Sequence, residues 1–473
     1  FTFDTGSSVG EISGHSKKVL TCDYKQTKPL QVCSGSEDFQ VNLFNGPPFQ
    51  FTSSIKGHTK FVNCTRYSPD GTRLCTVGSD MKCFVFDSAS GDKVGELVGH
   101  KGTVYACCWS ADGTKIATAS ADKTVMLWDA SSFACLGTTQ FAAKPAAEDM
   151  QVGLAWAGST LISLSLRGEL SYIDASNPAA PSKVIRGHNK QVNCLALGAS
   201  GIVVAASYDG LINRYQVGSA ESKRQEGKGH GNSVVDMAVV GSELLTCGLD
   251  DTLRRTGLEM MEVAPDAVTL GGQPLGMAVV PGGQALVVAT SKGLVLVKKE
   301  GAGWKAAGPA VEPKGWAATS VSVSPSGEVA VGGDDSKVHL FALNGPALSD
   351  TGATLEAHPK PVTKVMYSPD GSKLASTDAG KEVIVWDLAS KSPIGRDMVF
   401  HNARLTAVDW SPDSKRIVTG SIDNHVIVWE VGNVKNRVFL DRAHIGGVTA
   451  VKFLEENKVV TTGADSNIKV WVV

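Results

Sequence analysis

The chain has 473 residues, 42% of them hydrophobic and 19% charged, with a formal net charge of -2. That length suffices for two or more domains, and the near-neutral balance supplies no long-range attraction for nucleic acid or an anionic membrane. No apolar run approaches the ~20 residues of a membrane span, and the opening Phe-Thr-Phe-Asp-Thr-Gly lacks the basic start and small-residue cleavage site of a signal peptide.

The first predicted element is the end of a strand at Phe3-Asp4. The next residues, Val9-Gly10-Glu11 and Gly14-His15, align with Val94-Gly95-Glu96 and Gly99-His100 after Phe86-Asp87. The chain, which has no initiator Met, is therefore expected to begin inside a repeat of a longer protein. Gly6-Ser7-Ser8-Val9-Gly10 matches the Gly-x-Ser-x-Gly elbow of hydrolases, but that elbow needs a strand-to-helix turn and this one joins two strands. Histidines preceded by Gly, Ala or Phe then recur at His15, His58, His100, His188, His230, His358, His401 and His444, separated by 43, 42, 88, 42, 128, 43 and 43 residues. Since 88 is two periods and 128 three, one unit of about 43 residues occurs eleven times.

Between His15 and His58 lies an unusual stretch, residues 44–61, with Pro47-Pro48 and the aromatic residues Phe49, Phe51 and Phe61. Prolines lack the N–H a sheet ladder needs, so this is an edge or connecting segment carrying bulky apolar groups. An apolar group held at a surface is a candidate contact for a partner.

The unit is clearest from Gly99-His100: strand-like Val104 to Trp109, Ser110-Ala111-Asp112-Gly113, Lys115 to Ser120, Ala121-Asp122-Lys123, then Thr124 to Asp129. Short apolar runs divided by Asp-Gly and Asp-Lys turns predict consecutive antiparallel strands. Asn63-Cys64-Thr65 matches a glycosylation sequon but falls in such a strand. All ten cysteines precede residue 250, mostly within these runs, and form no Cys-x-x-Cys pair. They read as buried, reduced thiols of a cytoplasmic protein, not as zinc ligands. A degenerate unit without the histidine spans about 140 to 182 and ends at the strand-breaking Asn177-Pro178-Ala179-Ala180-Pro181, which sets a domain boundary between 1–182 and 183–473. Seven units follow, two of them degenerate, at Leu275 to Val297 and Val321 to Leu343. The last stops after its third strand, so its outer strand is expected from elsewhere in the chain.

The repeat resembles the WD-repeat family, all-β proteins whose units each supply four strands to a β-propeller. Trp128-Asp129, Trp386-Asp387, Trp429-Glu430 and Trp471 match its strand-end signature. The family pattern sets the loop histidine beside an Asp of the hairpin after the second strand, has that Asp reach a second-strand Ser or Thr, and ends on the third-strand Trp. Here the full sets are His100, Asp122 and Trp128; His401, Asp423 and Trp429; and His444, Asp465 and Trp471. The resemblance makes them structural, and with eight of the ten histidines so used, only His339 and His425 remain. No Walker loop or His-Glu-x-x-His helix occurs, and Gly301-Ala302-Gly303 lacks the third glycine of a dinucleotide fingerprint. No catalysis, cofactor or metal is expected.

At closer range the Gly46-Pro47-Pro48-Phe49-Gln50-Phe51 insertion, Gly57-His58-Thr59-Lys60-Phe61-Val62, Ser163 to Gly168, Gly187-His188-Asn189-Lys190 and Thr462-Gly463-Ala464-Asp465 are similar to the actin-interacting protein 1 family. The resemblance implies two seven-bladed propellers, with about four blades of the first and all of the second in this chain. Some three further units, on the order of 130 residues, are then expected before Phe1. It also implies a monomeric cytoplasmic protein of the actin cytoskeleton that acts with cofilin (actin-depolymerising factor) to sever and cap actin filaments, without nucleic acid or membrane. Carried over by position, Glu37, Phe51 and Phe61 match contact positions on the first propeller. Gln50 stands where relatives often carry Lys, which removes the charge for a salt bridge there. The alternative is a general WD-repeat adaptor, such as a ubiquitin-ligase substrate receptor or chromatin-complex subunit, since fold does not fix function. For Phe51 and Phe61 themselves, the alternative to a contact role is packing between neighbouring blades.

Overall fold

The computed structural model describes residues 13–141, 145–219, 221–344 and 347–473, and the expected strand end at Phe3-Asp4 and the Gly6–Gly10 stretch lie outside them. Among the described residues the fold is all-β: ten four-stranded sheets and one three-stranded sheet, antiparallel throughout, with strand order following chain order in each. The first consists of β1 (Val19–Lys25), β2 (Gln31–Ser36), β3 (Val41–Asn45) and β4 (Gln50–Ile55). The last consists of Val448–Glu455, Lys458–Gly463 and Ile468–Val472.

Turn chemistry sets the spacing of the strands. After the first strand of the unit at His100, Ser110 Oγ donates to Asp112 Oδ1 at 2.6 Å and Gly113 N–H donates to Ser110 O at 2.9 Å. Gly113 takes φ +70°, which side-chain-free backbone adopts at little cost. Ser68, Asp70 and Gly71 repeat this one period earlier, and Ser368, Asp370 and Gly371 in the second half. Each turn reverses the chain after six residues or so, giving strands of ordinary length.

Apolar side chains from successive sheets meet face to face. Cys33, Val41, Leu43 and Ile55 of the first sheet pack with Val62, Leu74, Phe84 and Phe86 of the second. Cys64, Cys75, Val77 and Cys83 of the second pack with Val104, Trp109, Ile116 and Trp128 of the third. Polar atoms at these faces are paired too: Tyr67 OH donates to Gln31 Oε1 at 2.8 Å, and Trp109 Nε1 to Arg66 O at 3.0 Å. Eight of the cysteines are buried or half-buried and all ten are free thiols; Cys22 and Cys135 are exposed. Asn63 lies in a strand and donates through Nδ2 to Val104 O at 2.8 Å.

The chain divides into two compact units, Phe1–Arg186 and Gly187–Val473. The division falls after 183–185 because Lys183–Ile185 pairs with Leu170–Asp174 as the fourth strand of its sheet, so the proline-bearing stretch 177–181 is a turn within that sheet. The first unit holds four of the sheets and the second seven. In the second unit the innermost strands of all seven sheets line one cavity of about 220 Å³, with Asn193, Asp236, Ser320, Lys364, Thr406 and Lys452 among its walls. Its last sheet lies against its first: Val460 packs with Val192 and Val203, and Thr449 Oγ1 donates to Val192 O.

Candidate protein-binding surface

Histidines and aspartates of the repeat form hydrogen-bond chains inside the sheets. Trp128 Nε1 donates to Thr118 Oγ1 at 2.8 Å, that hydroxyl meets His100 Nε2 at 2.7 Å, and His100 Nδ1 meets Asp122 Oδ2 at 2.8 Å. His401 and Trp429 share Thr419 at 2.9 Å each, and His401 lies 3.0 Å from Asp423. His444 and Trp471 share Thr461 at 2.8 Å each, with Asp465 at 2.8 Å. In each chain the imidazole stands between carboxylate and hydroxyl. The aspartate does not reach the second-strand Thr directly, contrary to the order expected from the family pattern, because the ring fills the space between them. Burial works against the Asp122 charge, but His100, Thr124 and the Lys101 N–H overcome it and hold the carboxyl well below its usual range. These groups satisfy one another and leave no nucleophile or base directed outward.

Two histidines outside the period also have partners. His339 stacks on Trp316, centroids 3.7 Å apart and planes at 4°, and meets Asp335 at 3.1 Å. Trp316 lies 42 residues before His358, at the position where other units carry the loop histidine, so the period itself marks this replacement. His425 meets Asp441 at 3.2 Å and lies beside Phe439.

The aromatic stretch occupies the connection from β3 to β4. Asn45 pairs with Gln50 across the turn, and Gly46 is needed because an added Cβ would lie 2.6 Å from the Phe49 backbone. Phe51 pairs with Phe44 beside a bulge, and their rings stand 5.9 Å apart at 70°. Phe44 is 1% exposed and Phe51 54%. Gln50, also exposed, precedes it on the same strand.

Phe61 lies beyond the other end of β4. The register pairs Ile55 with Val41, so the strand runs roughly 13 Å from Phe51 toward the β2–β3 hairpin. Phe61 is 40% exposed and its ring lies 6.0 Å from that of Phe39 in this hairpin. Lys17 Nζ stands 5.5 Å over the Phe39 ring. The Phe61 carbonyl accepts the Ser79 N–H of the next sheet at 2.8 Å, which fixes the backbone there. Glu37 sits in the same hairpin as Phe39, half-buried, its N–H bonded to Lys18 O at 2.9 Å.

The structure thus separates the sequence-derived residues into two groups. Glu37 and Phe61 flank one hairpin, while Gln50 and Phe51 stand at the opposite end of the sheet. Neither ring is buried between sheets. Phe39 belongs with the first group although composition does not single it out. A period comparison marks it: Phe39, Met81 and Lys123 recur at 42-residue steps, all with left-handed φ of 68° to 71°, and Phe39 is the aromatic member.

Seven segments match the model of the WD domain, G-beta repeat: 6–45, 49–87, 91–129, 179–215, 350–387, 396–430 and 435–472. The stretch between 215 and 350 that holds the two degenerate units is unmatched. The chain is 40% identical to the 66 kDa stress protein of Physarum polycephalum, over all of this chain and 78% of that protein. It is 38% identical to WD repeat-containing protein 1 of Gallus gallus, over all of this chain and 78% of the relative. It is 36% identical to Actin-interacting protein 1 of Drosophila melanogaster, over all of this chain and 77% of the relative.

Proposed function

Because the chain belongs to the WD-repeat family that includes actin-interacting protein 1, we propose that it binds actin filaments and, with cofilin, promotes their disassembly by severing and end capping. The observation that carries this reading is similarity to Actin-interacting protein 1 over the whole chain. It is a WD-repeat scaffold and not an enzyme, the histidines and aspartates of its full repeat sets being bonded to one another within the sheets. In our reading it works in the cytoplasm at the actin cytoskeleton.

Glu37, Phe39 and Phe61 form the principal actin-facing patch in this reading, and Gln50 with Phe51 a second contact at the other end of the same sheet. Half-exposed aromatic rings beside a carboxylate and a lysine offer both an apolar anchor and charge. Two modest contacts on one rigid sheet raise avidity without either being tight. We read the second unit as a seven-bladed propeller, supported by the cavity common to its seven innermost strands and by the Thr449–Val192 link. The four sheets of the first unit are blades of another ring. The proposed domains remain those divided near 182, with the strand 183–185 assigned to the first.

The test is co-sedimentation of filamentous actin with and without cofilin. The protein is expected to lower pelleted actin only when cofilin is present. An unchanged pellet in both conditions overturns the reading.

A further inference from the structure

The loop histidine at His358 is followed by Pro359, and this changes the hydrogen-bond chain of its sheet. In sister sheets the aspartate is held by the imidazole and by the N–H of the residue after the histidine. Ser16, Thr59, Lys101 and Asn402 donate in this way at 2.8–2.9 Å. Proline has no N–H to donate. Asp378 Oδ1 accepts the turn N–H groups of Gly380 and Glu382 at 2.9 and 2.8 Å, as Asp80, Asp122 and Asp423 Oδ1 accept those of their own turns, so the change falls on Oδ2, the oxygen the loop N–H holds in the sister sheets. Its Oδ2 and His358 Nδ1 both lack a hydrogen-bond partner although both side chains are fully buried. The two atoms stand 3.7 Å apart, against 2.8–3.0 Å for the closest imidazole–carboxylate contact in the sister sets at His15, His58, His100, His230, His401 and His444.

Unpaired buried polar atoms are costly, so a pair facing one another calls for a bridging group. From the separation and the donor types, we infer that His358, Asp378 and Glu382 bind a divalent cation of the zinc class, a site independent of actin binding. Nitrogen and oxygen ligands each about 2.0–2.1 Å from one ion lie roughly 3.3–4 Å apart, depending on the angle between them. A separation of 3.7 Å is too long for a hydrogen bond and suits a shared ion. Glu382 supplies a third ligand atom, all three lying within 4.8 Å of one another, and its partial exposure gives the ion a path in. One imidazole with two carboxylates is a donor set for zinc or manganese in preference to a thiophilic ion.

The probe is ZnCl2. The chain incubated with it and desalted is expected to retain about one equivalent of zinc more than Glu382→Gln. Pro359→Ser restores the N–H that sister sheets use and leaves all three ligands in place, and it is expected to weaken retention about tenfold. The thermal midpoint of the parent is expected to rise with ZnCl2 and that of Glu382→Gln to stay fixed. Equal zinc content in the parent and both variants, with circular dichroism showing all three folded, overturns the site.

Discussion

The ring of Phe61 lies 6.0 Å from that of Phe39, although Phe39 belongs to a hairpin within the first sheet and Phe61 to the connection that leads from the first sheet to the second. Phe61 comes three residues after the loop histidine His58, and Phe39 caps the β2–β3 hairpin with φ +71°. Both rings are partly exposed, so their shared face is offered to solvent. Phe39→Ala and Phe61→Ala are each expected to weaken cofilin-dependent disassembly, by about 2 kcal/mol of binding if the pair is a hot spot. Their thermal unfolding should stay within about 0.5 kcal/mol of the parent. Filament pelleting and a melting curve on the same preparations decide it, and a loss of stability matching the loss of activity refutes the patch.

Phe44 and Phe51 are also an aromatic pair, but with opposite burial. Phe44→Ala is expected to cost about 3–5 kcal/mol because it opens a cavity in the packing between sheets. Phe51→Ala removes a ring that is more than half in water, and its effect should appear in filament assays and not in urea denaturation.

The Thr118 hydroxyl serves both His100 and Trp128. Thr118→Val keeps the shape and strands two buried polar groups, for an expected loss of about 2–4 kcal/mol. The shift of the urea midpoint measures it. His100→Gln, which retains polar atoms near Asp122, should lose less.

Acid should destabilise the protein. His188 is buried, and burial together with Arg224 lowers its pKa from the ordinary 6.5 to about 4. Between those values the unfolded chain binds the extra proton, so stability falls as pH drops from about 6.5 to about 4 and this contribution levels off below. The full difference is about 3 kcal/mol. Burial likewise lowers His230, His401 and His444, adding in the same direction. Asp122 and Asp423, held low by their partners, add a further loss as pH falls through their folded values. Urea midpoints of the parent and His188→Asn across this range are expected to converge toward acid pH.

Thiol chemistry should follow burial. Cys33 and Cys108 are pushed up to about 12 by desolvation, and burial raises Cys83 as well. Ellman's reagent is expected to label Cys22 and Cys135 rapidly in the native protein and the rest only after denaturation.

The histidine period makes the sheets legible in the sequence because one hydrogen-bond chain needs His, Thr and Trp at set offsets in every full unit. It also exposes replacements such as Trp316. The binding surface is less legible. Phe51 and Phe61 are ten residues apart in sequence, but only the β3–β4 register shows that they leave opposite ends of a sheet. Phe39 escapes notice because nothing in its own segment singles it out; it stands apart only as the aromatic member of the series with Met81 and Lys123 that repeats its backbone, and its place beside Phe61 comes from the fold. The gap at His358 has a mark in the sequence, Pro359, but its effect depends on knowing which N–H the aspartate uses.

The carbonyl of Phe61 is tied to Ser79 N–H whatever side chain position 61 carries. Scaffold and recognition are therefore separable there, and the position can act as a socket. A photo-crosslinking amino acid at 61 would be presented at the same place as the native ring, turning a transient encounter with a filament into a covalent map of the subunit it faces.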